Sequence, residues 1–317
     1  MRRFRIRRRR ALALALLPTV VMIGSTPTLA AETGTRDATL SGKGKVRFGD
    51  RVTLRGKFPD SPRTEVRILR RTAKDEELKP VASTTTNDMG VWSARVKPRK
   101  TAIWRARLVE AEAAPEDGSV AAAAAPTADR ESNARRIRVK SVTNVRPAKR
   151  HTVVGHNVKL KGRVLPAGSK RRVKVEVGSR TIRTRTNRRG RFAVRWNPSS
   201  TGDYKVKARA KRNRDAAGSG DRGGRVTAYR YAHASWYGPG FYGNRTACGQ
   251  TLTSSTRGVA HKSLPCGTKL RLRYRSRTVT VRVIDRGPYV AGREFDLTRA
   301  TKDDLGFGST GTILSSR

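Results

Sequence analysis

The sequence predicts an all-β protein, and three observations carry that expectation. Short runs of alternating apolar and polar residues recur along the chain, punctuated by Gly, Pro and Asn-Asp turns. One set of runs is written twice in the same order, as an internal repeat of about 70 residues. Near the C-terminus, Leu270, Leu272 and Tyr274 alternate with cations, and after a turn at Arg275-Ser-Arg-Thr278 the residues Val279, Val281 and Val283 return in register. That hairpin has one apolar face and belongs to a third β module.

At 317 residues the chain is too long for one ordinary domain. Hydrophobic residues at 36% and aromatics at 6% favour several small cores over a single large one. The first 30 residues read as a signal peptide. Met1-Arg-Arg-Phe-Arg-Ile-Arg-Arg-Arg-Arg10 is a basic leader, residues 11–23 are an apolar run too short for a settled span, and Thr28-Leu-Ala30 offers a cleavage site. No transmembrane span is expected after cleavage. Lys and Arg outnumber Asp and Glu by 71 to 24, a formal charge of +47, and the seven leader arginines account for only a small part of it. Such a charge attracts polyanions. Export argues against nucleic acid as the partner and in favour of anionic wall polymers, so a secreted, wall-associated protein is expected.

The elements follow in order. Residues 38–110 form the first repeat, with Val52-Thr-Leu-Arg55, Val66-Arg-Ile-Leu69, Val91-Trp-Ser-Ala-Arg-Val96 and Ile103-Trp-Arg-Ala-Arg-Leu108 as strands. Residues 111–136, Ala-rich with Pro115 and Pro126, read as a flexible linker. Residues 137–210 form the second repeat. Gly49-Asp-Arg-Val-Thr-Leu-Arg-Gly56 matches Gly155-His-Asn-Val-Lys-Leu-Lys-Gly162, and Thr86-Asn-Asp-Met-Gly-Val-Trp92 matches Thr186-Asn-Arg-Arg-Gly-Arg-Phe192. Trp104-Arg-Ala-Arg107 likewise matches Tyr204-Lys-Val-Lys207. Each copy resembles the small immunoglobulin-like β-sandwiches of secreted bacterial proteins, with these aromatics in its core. Lys159, Lys161, Arg163, Lys170, Arg171, Arg172 and Lys174 make the second copy a candidate electrostatic docking surface. Residues 211–229, rich in Gly and Arg, read as a second linker, and residues 230–317 as the last module.

Chemistry-bearing residues converge only in that last module. Asp285 ends the apolar Val279–Val283 strand before a Gly287-Pro288 turn, where partial desolvation raises a carboxylate's pKa and suits it to carrying a proton. The competing reading is an Asp that satisfies turn backbone groups. Trp236, Tyr237, Phe241 and Tyr242 come from a Gly/Pro-rich loop, with Tyr237 and Tyr242 the better candidates to stack on sugar rings. Cys248 and Cys266 are the only cysteines, and an even count in an exported chain reads as a disulfide. A metal site from Cys248, Cys266, His261 and His233 is the alternative. No metal or cofactor is expected.

Five segments in this order carry a family resemblance: Ala234-Ser-Trp-Tyr-Gly-Pro-Gly-Phe-Tyr-Gly243, Thr246-Ala-Cys-Gly-Gln-Thr-Leu252, Val259-Ala-His-Lys-Ser-Leu-Pro-Cys-Gly-Thr268, Val283-Ile-Asp-Arg-Gly-Pro-Tyr289 and Gly292-Arg-Glu-Phe-Asp-Leu297. They resemble the RlpA (rare lipoprotein A) family, related in fold to expansins. The resemblance implies a six-stranded double-psi β-barrel that acts on peptidoglycan glycan strands as a lytic transglycosylase. It places the family's acid on Asp285 and its histidine on His261, with Arg286 beside the acid as a substrate contact. The family's Gly-Glu falls on Gly249-Gln250, so the second carboxylate is an amide, left to hydrogen-bond substrate. Hydrolysis of a glycosidic bond ordinarily uses two carboxylates. Transglycosylation can use one, because the substrate's own C6 hydroxyl attacks. Glu294 and Asp296 are alternative second acids, although Phe295-Asp296-Leu297 reads as a structural strand. An expansin-like protein that binds and loosens without cutting is the other reading.

Overall fold

The computed structural model describes residues 38–109 and 130–317. The expected signal peptide and residues 111–129 of the expected Ala-rich linker lie outside the described residues. The described protein is all-β with one short helix.

The N-terminal module has eight strands: β1 (Thr39–Ser41), β2 (Lys45–Arg47), β3 (Val52–Lys57), β4 (Glu65–Thr72), β5 (Lys79–Thr85), β6 (Val91–Val96), β7 (Ala102–Val109) and β8 (Arg135–Lys140). They form two sheets, β1-β3-β6 and β2-β8-β7-β4-β5. Alternation sends Leu54, Trp92 and Val96 from one sheet and Val66, Ile68, Trp104 and Ile137 from the other into a shared core. The second module repeats this wiring with β9 (Val142–Pro147), β10 (His151–Val153), β11 (Val158–Leu165), β12 (Arg172–Val177), β13 (Arg180–Arg185), β14 (Arg191–Trp196), β15 (Gly202–Ala210) and β16 (Ser219–Tyr237). Its sheets run β14-β11-β9 and β13-β12-β15-β16, and β10 pairs parallel to β16 as β2 does to β8.

Repeated residues do repeated jobs. Gly56 lies opposite Trp92 and Gly162 opposite Phe192. A Cβ at Gly56 would sit 1.9 Å from the Thr39 carbonyl and 2.7 Å from the Trp92 ring. At Gly162 it would sit 2.2 Å from the Phe192 ring and 2.4 Å from the Asn144 carbonyl. Each glycine therefore lets an aromatic lie flat on the strand. The hairpin turns match as well: the backbone N–H of Val91 donates to Asn87 Oδ1 (2.9 Å) as that of Arg191 does to Asn187 Oδ1 (3.0 Å).

Two expected boundaries move. The strand that completes the first module, β8, comes after the Ala-rich segment. Residues 211–229, expected as a tether, are structural: Asp215 and Ala216 are buried, the Asp215 carbonyl accepts from Thr101 N–H (2.7 Å), and Ala216 joins the first module's core. From Ser219 onward the chain is β16, which pairs with β15 and then runs without a break into the last module. Gly220, Gly223 and Gly224 disguise this strand as a loop. Gly223 is needed because a Cβ there would lie 2.5 Å from Val145 of the facing sheet. Arg171, expected on the cationic surface, is buried and donates to the Lys211 carbonyl at 2.6 Å.

The last module comprises the end of β16 with β17 (Val259–His261), β18 (Lys269–Tyr274), β19 (Arg277–Asp285), β20 (Phe295–Thr298), α1 (Arg299–Leu305) and β21 (Thr310–Ser315). Pairing runs β16-β20-β17-β19-β18-β21, and β21 pairs back onto β16, so the strands close on themselves. Leu270, Leu272, Val281, Val283, Phe295, Leu297 and Ile313 fill the interior. Thr298 caps α1, and its hydroxyl and that of Thr301 both bond Gly258, tying the helix to the strand β17. Among the described residues, no helix is long and apolar enough to cross a membrane.

Candidate active site

Asp285 is the last residue of β19 and is half-buried. Its Oδ1 accepts from the backbone N–H of Ala247 (2.8 Å) and of Arg286 (2.8 Å). The first of these comes from the turn 246–250, whose Thr246 N–H bonds the Gln250 carbonyl (2.8 Å) and whose Cys248 N–H reaches the Ile284 carbonyl (3.3 Å). A disulfide joins Cys248 to Cys266, with a Cα separation of 5.7 Å. The sulfurs are therefore unavailable as thiolate ligands. Arg286 closes the frame: its guanidinium donates to the carbonyls of His261 (3.3 Å) and Leu264 (3.0 Å) and contacts Cys266 Sγ (3.4 Å). Three segments are thus stitched around one carboxylate.

The register places partners beside it. Asp285 and Asp296 both pair with Ala260, from opposite sides, and Asp296 pairs onward with Ser235. Paired positions share a sheet face, so Ser235, Asp296, Ala260 and Asp285 form one row across four strands. The two acids stand two strand spacings apart, about 9–10 Å between backbones. Ala260, between them, is itself buried. Tyr237, two residues beyond Ser235 on the same face, senses both: burial and then the Asp285 carboxylate, with a smaller part from Asp296, push its phenol up. The Tyr237 hydroxyl is buried and makes no hydrogen bond of good geometry among the described residues. Asp296 accepts from the Ser235 hydroxyl.

His261 is buried beside this row. Its Nδ1 accepts from the N–H groups of Ser263 (3.1 Å) and Leu264 (3.0 Å), which leaves the proton on Nε2, 3.7 Å from Glu294. Burial holds the imidazole below its ordinary pKa, with Glu294 opposing. Glu294 is itself bound by Arg230. The arrangement makes His261 the organiser of the 261–264 turn.

The remaining candidates separate. Gln250 is exposed at the turn next to Asp285. Trp236 turns away, packing against the interior with Lys302 Nζ 4.8 Å above its ring. Tyr242 tucks its hydroxyl under Gly238. Arg286, spent on three framework contacts, does the work of a strut. Phe241, 55% exposed, meets Tyr237 edge-on with centroids 6.2 Å apart. Tyr289, 86% exposed, lies beside Gly287. Nothing in the sequence marks Tyr289, and Asp296 reads there as an alternative second acid within a structural strand. The available signal was pairing: only the register of β17 with both neighbours brings Asp296 level with Asp285.

Residues 230–314 match the family model described as lytic transglycolase. The C-terminal barrel is an RlpA-like domain. Over 80 residues it is 41% identical to the probable endolytic peptidoglycan transglycosylase RlpA of Synechocystis, and over 81 residues 43% identical to that of Campylobacter jejuni. The Aquifex aeolicus relative is 42% identical over 87 residues. These alignments cover 25%, 25% and 27% of this chain and 25%, 30% and 38% of the respective relatives. They lie in the RlpA-like domain, and the chain spans less than two fifths of the length of each of these relatives.

Proposed function

We propose that the protein is exported to the cell wall, where the RlpA-like domain cleaves peptidoglycan glycan strands as a lytic transglycosylase with Asp285 as its acid/base. The observation that carries this reading is the position of Asp285. It sits half-buried at the end of a barrel strand, held by backbone donors on one oxygen and level with Asp296 across Ala260. The sugar strand reaches the exposed side of Asp285, with the exposed Phe241 and Tyr289 rings available to stack on it. Asp285 donates its proton to the leaving glycosidic oxygen, then takes the proton of the muramyl C6 hydroxyl as that oxygen bonds C1 to form the 1,6-anhydro ring. Atoms and charges balance without water. Tyr237 orients Asp285, Gln250 contacts the substrate at the rim, and His261 positions the 261–266 turn. Asp296, hydrogen-bonded to Ser235, supplies a second negative charge where positive charge develops on the sugar. The two preceding modules, read as immunoglobulin-like sandwiches, hold the enzyme on the wall by binding its anionic polymers.

A second reading has one observation in its favour. With Gln250 in place of an acid the domain binds and loosens wall glycan without cutting. Mass analysis of the material released from purified peptidoglycan separates the two. Anhydro-muramyl ends are expected; reducing ends would mean a hydrolase, and no soluble product would leave the non-catalytic reading.

A further inference from the structure

The outer face of the β13-β12-β15-β16 sheet carries cations directly opposite cations. Arg172 pairs with Arg185 and Lys174 with Arg183. Lys174 also faces Arg209, Lys207 faces Arg222, and Lys205 faces Arg225. Like charges in register destabilise a sheet. The acids on this face are Glu176, held by Lys174 at 2.7 Å, and Asp203, held by Arg225 at 3.2 Å and by Arg271 at 2.8 Å. They neutralise few of these charges. A polyanion laid along the face would relieve the repulsion that remains after solvent screening.

The face is also grooved. A depression of about 570 Å³ lies among Arg172, Arg183, Arg185 and Lys211, and another of about 490 Å³ over Lys205, Lys207, Arg222 and Arg225. Arg225 also lines a third, of about 390 Å³, which crosses to Lys269 and Arg271 of the barrel strand β18. Lys205, Lys207 and Arg209 along β15 extend for roughly 14 Å, two side-chain repeats of a strand. Because β16 is continuous and Arg271 is clamped to Asp203 and Thr227, the track passes from module to barrel without a gap.

We propose that this track is the docking site of a flexible phosphodiester polyanion, and that it fixes the barrel along that polymer. The proposal rests on the wall-association reading above and replaces its general attraction with one surface. A bilayer is the poorer fit, because among the described residues no large apolar side chain is exposed between residues 141 and 229 to enter it. A single-stranded nucleic acid is poorer too, since Phe192, Trp196 and Tyr229 are buried and cannot stack on bases.

The test uses the chain from residue 31 onward and a labelled poly(glycerol phosphate) oligomer, titrated by fluorescence anisotropy at several salt concentrations. The triple variant Lys207→Glu, Arg209→Glu, Arg222→Glu should lose about a hundredfold in affinity near 0.1 M salt, with a shallower salt dependence. The equally charged control Arg51→Glu, Arg55→Glu, Arg95→Glu on the first module should lose no more than about threefold. Equal losses in the two variants would overturn the track, and so would tighter binding of phosphatidylglycerol vesicles or of an oligodeoxynucleotide of equal charge. Cleavage of soluble glycan fragments is read in parallel and should be unchanged in both triples. Normal polymer binding without any cleavage would contradict the proposed activity and leave the track standing.

Discussion

The first two modules share wiring and turn chemistry yet differ in charge. Residues 38–109 and 130–140 hold 23 Lys and Arg against 8 Asp and Glu, whereas residues 141–229 hold 25 against 4. The first module uses its acids: Glu131 binds Arg105 and Arg107, each at 2.6 Å, and Asp88 binds Arg63 at 2.7 Å. The second has lost most such partners while keeping the glycine under the aromatic, the turn asparagine and the crossing strand. The difference teaches that this architecture depends on a few steric and hydrogen-bonding positions. Surface charge is then free to specialise, and in the second module cations line both outer faces, Lys159 opposite Arg195 and Arg163 opposite Arg191 on one sheet and Lys174 opposite Arg183 and Arg209 on the other.

That division can be broken at its steric end first. Gly56→Val and Gly162→Val should each destabilise their own module by about 3 kcal/mol or more, the upper range for overpacking, because backbone carbonyls leave no room for a Cβ. Urea unfolding followed by Trp fluorescence measures it. Tolerance at Gly162 with collapse at Gly56 would show that the two modules do not rest on the same device. A smaller effect sharpens the comparison at the turns. Asn87 Oδ1 accepts from both Met89 and Val91 N–H, and Asn187 Oδ1 from Arg191 alone. Asn87→Ala should therefore cost about 1–2 kcal/mol and Asn187→Ala about 1 kcal/mol by the same measurement.

The smallest expected effect is a pH dependence in the barrel. Burial holds the His261 imidazole below its ordinary value of 6.5. As pH falls through 6.5 the unfolded chain takes up a proton that the folded barrel resists, so the stability present above 6.5 declines below it. His261→Gln should flatten that decline in thermal melts. It should not remove it, because His151 is lowered in the same way by burial and by Arg273, Arg271 and Arg150.

Much of this was legible in the residues. Alternation in Val91–Val96 and Ala102–Val109 reads as strand because one face must be buried, and the core obeys it. The disulfide was legible in an even cysteine count read together with the expected export signal, and the barrel in five ordered motifs. What stayed hidden depended on distant pairing. The strand Ser219–Tyr237 begins with Gly and Arg because it packs against Val145 and carries the cationic face, so its composition imitates a linker. Arg171 sits among surface cations in sequence yet is buried, its Nη2 donating to backbone carbonyls 40 and 46 residues away. The cationic track and the level placement of Asp285 and Asp296 are likewise properties of register, which no local pattern states.

The central claim is that Asp285 transfers the proton in glycan cleavage. Asp285→Asn retains the Oδ1 acceptor that holds Ala247 and Arg286, so the frame should survive, as unchanged thermal melting and an intact disulfide would show. Release of anhydro-muramyl products from purified peptidoglycan should fall by about 10²–10⁴-fold, the usual cost of losing general acid/base assistance. Undiminished release by the folded Asp285→Asn protein would contradict the account.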